Sequence, residues 1–205
     1  MTEPTPTPAE TPEVPEGDPA LAAAVREVEA HVAEAGWDQP ARLYALVDTA
    51  SLVTREPALA ASLGLADPAT AAGLTPVEQE LAGEEPLERL LEHIVWPETV
   101  VGCAAVVERL VLPPAADAEL PDESAAATAY ARSHPDRQEV RLVAGATRDG
   151  ATYCALRMRA HDDGASVVGG TDLVPGLLEL VVGTLAGDPA EDPSEEVAEE
   201  AVEET

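Results

Sequence analysis

Seven side chains in one stretch of this chain have the right types to recognise an anion or move a proton. Arg132, His134, Arg137, Arg141, Arg157, Arg159 and His161 all fall within residues 130–161 (YARSHPDRQEVRLVAGATRDGATYCALRMRAH), which hold six of the eleven arginines. A guanidinium presents a planar fork of donors that matches a carboxylate or phosphate. An imidazole titrates near neutrality and serves as a proton carrier or metal ligand. With Arg148 included and Asp136, Glu139 and Asp149 set against them, the segment carries +3 in a chain of net charge −29. Such an island has three chemical uses: an anion or acidic-peptide site, pairing with surplus carboxylates of the same domain, or docking of the chain's own acidic C-terminal segment.

No other motif competes with it. His134-Pro135-Asp136 is a turn sequence, and His161-Asp162-Asp163-Gly164 is a polar loop, so neither predicts a metal site. Gly169-Gly170 stands before a helical pattern without the spacing of a dinucleotide-binding or phosphate-binding loop. No serine has the context of a nucleophile elbow. Cys103 and Cys154 lie in apolar runs with no CxxC, which predicts two buried free thiols. Five aromatic residues do not make a base-stacking platform. No catalytic residue, cofactor or metal is therefore assigned.

Composition narrows the partner. So acidic a chain repels nucleic-acid phosphates and anionic lipid head groups. It has no apolar run long enough to span a bilayer and no signal-peptide pattern at its start, so the expected location is cytoplasmic. The absence of Lys, Asn and Phe and the single Ile94 point to a high-GC genome. Residues 1–18 are rich in Pro, Thr and Glu, and residues 187–205 carry nine acids and no base. Both are expected to be disordered tails, because neither buries enough apolar surface to offset ordering entropy. Residues 19–186 remain as one domain carrying −15.

The elements that must position the seven residues follow from periodicity. Leu21, Val25, Val28 and Val32 predict a helix over 19–35 ending at Gly36, with Arg26, Glu27, Glu29 and Glu34 off its apolar stripe. Residues 42–48 predict a strand and 56–64 a short helix. Thr75-Pro76-Val77-Glu78 has the form of a capping box opening a helix. Another helix is expected from Pro86 to Trp96, a central strand over 99–112, a loop over 115–121 and a helix capped by Asp122 through 133. Asp149-Gly150 joins two β-runs as a hairpin. A two-residue turn there would set Arg157 opposite Leu142 and Arg141 opposite Met158, splitting the cations between the two faces. A Gly-rich loop over 161–171 and a last helix to about Ala186 complete the domain. The expectation is an α+β two-layer fold, a mainly antiparallel sheet of about four strands with helices packed on one face.

Three phrases sharpen the assignment: AGWDQPARLYALVDTA (35–50), WPETVVGCAAVVERLVLPP (96–114) and HPDRQEVRLVAGATRDGATYCALRMRAHDD (134–163). Over about residues 19–186 the chain resembles an uncharacterised family of actinobacterial proteins known by a locus-style name. The resemblance implies a cytosolic protein and transfers no catalytic residue. The expected function is a non-catalytic, adaptor-like or regulatory domain binding a protein or acidic peptide. The alternative is a small-molecule or anion-binding domain, possibly an enzyme, using the Arg/His cluster around the 138–160 hairpin.

Overall fold

The structure, a computed structural model, describes residues 17–65, 72–81, 85–121 and 123–186. Helix α1 (Pro19–Glu34) opens the fold, with the Asp18 side chain accepting from the Leu21 amide. Strand β1 (Arg42–Asp48) leads into α2 (Thr49–Arg55) and α3 (Pro57–Ser62), followed by β2 (Leu74–Gln79) and α4 (Leu87–Leu91). The long strand β3 (Val100–Val111) comes next, then α5 (Pro114–Asp117) and α6 (Ser124–Ser133). Strands β4 (Gln138–Thr147) and β5 (Thr152–Met158) form the expected hairpin, and β6 (Val168–Gly170) and α7 (Pro175–Leu185) finish the domain. Among the described residues, the six strands make one antiparallel sheet in the order β2-β1-β3-β4-β5-β6.

The α+β class is as expected, but the sheet has six strands where about four were expected. Helices also cover both faces where one was expected. On one face α1 packs Leu21, Val25, Val28 and Val32 against Tyr44, Leu46, Val106 and Val143. On the other, α4 and α7 bring Leu91, Val181 and Leu185 onto Leu43, Cys103, Ala105 and Ala144. The central strand β3 is consequently buried on both sides from Gly102 to Val107, which explains its unbroken apolar run. Both cysteines are free and buried, and burial pushes the Cys103 thiol up to about 11.

The extra strands lie where local signals were overridden. Thr75-Pro76-Val77-Glu78 belongs to β2, not to a helix, and pairs with β1 as Val77↔Ala45 and Glu78↔Tyr44. The Thr75 hydroxyl is bonded to that of Thr49 at 2.9 Å, so its capping role is replaced by a tertiary contact. Pro76 is tolerated because β2 is an edge strand. The Gly-rich segment expected to be all loop supplies β6, the other edge. A single helical turn, α5, occupies the start of the expected loop at 115–121. Helix α4 ends at Leu91, short of the expected Trp96. The expected cap Asp122, residues 66–71 of the expected 65–74 loop, residues 1–16 of the first expected tail and all of the second, 187–205, lie outside the described residues.

The hairpin departs from the expected register by one residue. Three residues, Arg148, Asp149 and Gly150, form its loop, and Gly150 takes φ +92°. The Gly150 amide donates to Thr147 O at 3.0 Å and the Thr147 amide to Ala151 O at 3.0 Å. Arg148 is drawn out of the strand to work as a clamp. Its guanidinium donates to the carbonyls of Trp96, Val100 and Leu185 at 3.0, 2.9 and 3.1 Å, tying the hairpin tip to the start of β3 and the end of α7. Because one residue reverses every side chain, Arg141 stands opposite Arg157, on the same face of the sheet, and not opposite Met158.

Close approach of α1 to the sheet depends on Gly145. A Cβ there would fall 2.5 Å from Val25 Cγ2 and 3.3 Å from Leu21 Cδ1. Gly145→Ala is expected to destabilise the fold by about 1–3 kcal/mol through overpacking. Gly164→Ala, where an added Cβ meets nothing within 4 Å, is the control and should change little. Denaturant unfolding of the two variants checks this.

Candidate functional site

The hairpin places two guanidinium groups side by side under α1. Arg141 is fully buried and Arg157 is 6% exposed, and they are direct partners in the β4–β5 ladder. Like charges in that position repel and are costly to bury unless each is paired. The pairing is supplied from three directions.

From α1 comes Glu29, itself 3% exposed. Its Oε1 accepts from Arg157 Nε at 2.6 Å and its Oε2 from Arg157 Nη2 at 2.8 Å, a bidentate fork. Glu29 was expected off the apolar stripe and is instead part of the buried face. It lies four residues after Val25 and three before Val32, which puts it on the edge of that stripe. From β3 comes Glu108, the ladder partner of Arg141. Its Oε1 accepts from Arg141 Nη2 at 2.9 Å and Nε at 3.3 Å. From the turn after α1 comes the Gly36 carbonyl, which also accepts from Arg141 Nη2.

Trp37 and Asp38 close the arrangement. The Trp37 ring centroid is 4.5 Å from the guanidinium carbon of Arg141 and 5.6 Å from that of Arg159. Its indole N–H donates to Asp162 at 2.9 Å, and Asp162 also accepts from Arg157 at 3.3 Å. Asp38 adopts φ +65°, a left-handed conformation that aspartate tolerates better than most residues. Its amide donates to Glu108 at 2.8 Å, and its carboxylate takes a two-pronged bond from Arg159 at 3.0 and 2.9 Å. Arg159 also reaches Glu139 at 2.5 Å. The Arg159 guanidinium holds the Asp38 carboxyl below the usual carboxylate range. In return, Asp38 first and Glu139 second hold Arg159 above its ordinary value. Three of the predicted site arginines are thus internally paired with Glu29, Asp38, Glu108, Glu139 and Asp162.

The remaining predicted residues are arranged differently. Arg132, at the end of α6, and Arg137, in the following turn, are exposed and line one side of an open cleft of about 400 Å³. Trp37, Leu110 and Val140 supply its apolar lining. Neither arginine has a carboxylate partner among the described residues; Arg137 donates only to the His134 carbonyl, at 3.4 Å. Arg109, on the same cleft, pairs with Glu88. His134 is occupied in its own turn, with Nδ1 accepting from the Asp136 amide at 3.2 Å and its carbonyl from the Arg137 amide at 3.3 Å. His161 is exposed in a 3-10 turn over Arg159–His161 and does not line the cleft. Among the described residues no group of three or more His, Cys, Asp or Glu is placed to hold a metal ion. No helix among them is long and apolar enough to cross a membrane.

A family model described as PPA1309-like protein matches residues 21–186, a span that takes in the whole network and the cleft. No curated protein and no solved structure matches the chain.

Two outcomes check the network. Glu108→Ala leaves the buried Arg141 guanidinium without a carboxylate and should cost about 3–5 kcal/mol in chemical denaturation. Asp38, whose folded pKa is depressed, contributes stability that is fully present above its ordinary value of 3.8 and is lost as pH falls through the lower folded value. Its side-chain resonance should therefore titrate below 3.8, and Arg159→Ala should return the midpoint toward that value.

Proposed function

We propose that this chain, which belongs to the PPA1309-like family, is a non-catalytic domain that binds a short segment of a partner protein in the cleft beside Trp37. The observation that carries this reading is a contrast among the six arginines of the segment. Arg141, Arg148, Arg157 and Arg159 are consumed by internal contacts. Arg132 and Arg137 stand exposed beside an apolar lining with no carboxylate partner among the described residues. A fork of donors next to Trp37, Leu110 and Val140 suits a carboxylate adjacent to an apolar side chain. Trp37 is pre-oriented for this, since Arg141 and Asp162 fix its ring before any partner arrives.

The charge of the chain limits the partner. At −29 it repels a polyanion, so the segment recognised carries one or two acids and is otherwise apolar or basic. The enzyme-like alternative receives less support, because it needs Arg141, Arg157, His134 and His161 to converge with Arg137 on a ligand. A cytosolic setting in a high-GC actinobacterium belongs to the same proposal and rests on composition and the phrases quoted above.

The test is calorimetric titration with short peptides containing Asp-Leu, against the same peptides with Asn-Leu. Binding is expected for the Asp series and should weaken at least tenfold in Arg132→Ala/Arg137→Ala, whose exposed sites leave the melting temperature unchanged. Equal affinity for the two series, or for the two proteins, contradicts the reading.

A further inference from the structure

The Trp37 cleft lies at one end of the β4–β5 hairpin, and both described ends of the chain lie at the other. Leu185, next to the last described residue, presents its carbonyl to Arg148 at the hairpin tip, at 3.1 Å. Gly17, the first described residue, sits against Thr171 and against Thr152, just past the same tip. Along β4 the cleft begins at Val140, seven rises back from Thr147 and so about 24 Å from the tip. Beyond it the charges are largely settled. Asp38 and Glu139 hold Arg159, Glu108 holds Arg141, and Arg109 holds Glu88. Among the described residues, the lining charge left without a carboxylate partner is that of Arg132 and Arg137.

The chain itself carries the complement. Residues 187–205 hold nine acids, no base and two branched aliphatic side chains, Val197 and Val202, each beside glutamate: Glu195-Glu196-Val197 and Val202-Glu203-Glu204. A carboxylate next to an apolar side chain is what Arg132 and Arg137 suit beside Trp37, Leu110 and Val140. Reach separates the two ends of the chain. Glu196 lies eleven residues past Leu185, a span of up to about 36 Å, which is enough to round the domain to the cleft. In residues 1–16 the one branched aliphatic is Val14, beside Glu13 and within about 11 Å of Gly17. Helix α1, about 24 Å long, separates Gly17 from Trp37, so Val14 falls short.

We infer that, the Trp37 cleft being the recognition site proposed above, residues 195–203 of the same chain occupy it when no partner is bound. Glu196 meets Arg132 and Arg137 while Val197 enters the apolar lining, and Val202 with Glu203 offers the same pairing again. A free polyanion meets the full −29, whereas residues 187–205 are part of that charge and meet a domain of −15. Charges of that domain farther than about 8–10 Å from the contact are screened at physiological salt. Tethering sets the local concentration of the segment on the order of millimolar, so a contact too weak to hold a free peptide is still populated. A partner has to displace residues 195–203, and their affinity for the cleft sets the threshold for binding.

A nitroxide attached to Ser194→Cys in the full chain reads the contact with no partner present, since Cys103 and Cys154 are buried away from the reagent. The Trp37 indole N–H resonance is expected to lose most of its intensity. The intensity should return in Arg132→Ala/Arg137→Ala and in Val197→Ser/Val202→Ser, which keeps the charge of the segment. Dilution with unlabelled chain should leave the broadening unchanged. In calorimetric titration, Val197→Ser/Val202→Ser should bind the Asp-Leu peptides about threefold or more tightly than the wild type. A sharp indole signal in the labelled chain, or broadening that survives both double variants, overturns the inference. So does broadening that fades on dilution, which places the contact between two copies. Equal peptide affinity in the wild type and Val197→Ser/Val202→Ser overturns it too and leaves the cleft as a partner site. Broadening that behaves as expected, with no peptide binding to either protein, supports the contact and overturns the partner reading alone.

Discussion

Two buried guanidinium groups facing each other across one rung of a β-hairpin set the terms for the rest of this structure. Arg141 and Arg157 cannot share that position unless carboxylates reach them, and water is excluded by α1 above. Glu29 is therefore held inside an otherwise apolar helix face, and Glu108 ends the buried run of β3. The turn after α1 is bound to the same cluster through the Gly36 carbonyl, the Trp37 ring and the Asp38 amide. One charge cluster thus ties together α1, β3, β4, β5 and the entry to β1. A register slip would carry one arginine to the opposite, apolar face, so the same cluster penalises any other pairing of the hairpin.

This changes what the basic segment means. In sequence it is an excess of positive charge in search of an acid. In the fold its buried members are outnumbered by their own carboxylates, and among the described residues the cations of the segment left without a carboxylate partner are Arg132 and Arg137. The function proposed for the domain rests on these two residues because the others are occupied. The internal network contributes indirectly, by holding Trp37 rigid beside them.

Much of the fold is legible in the sequence where one physical signal dominates. The α1 stripe, the β1 alternation and the uninterrupted apolar run of β3 each predict their element to within a residue or two. The capping box at Thr75 misleads because strand pairing with β1 satisfies the same backbone groups, and local propensity is the weaker term. The hairpin misleads more subtly. Asp149-Gly150 correctly marks the turn, but the demand of three carbonyls for the Arg148 side chain makes the loop one residue longer. That single residue decides whether the cations are dispersed or face each other. Of the site, the arginines were visible as a composition bias. Their partners were not, because Glu29, Asp38 and Glu108 are spread across about eighty positions and meet only through the fold. The one local hint was Glu29 at helical spacing from Val25 and Val32.

The Arg157–Glu29 fork is a buried pair that neutralises the hairpin from within. A double-mutant cycle measures this directly, using Glu29→Gln, Arg157→Met and their combination in denaturant unfolding. The expected coupling energy is at least about 2 kcal/mol, with the double variant more stable than Arg157→Met alone. A coupling of about 0–1 kcal/mol, the range of solvent-exposed pairs, would contradict it.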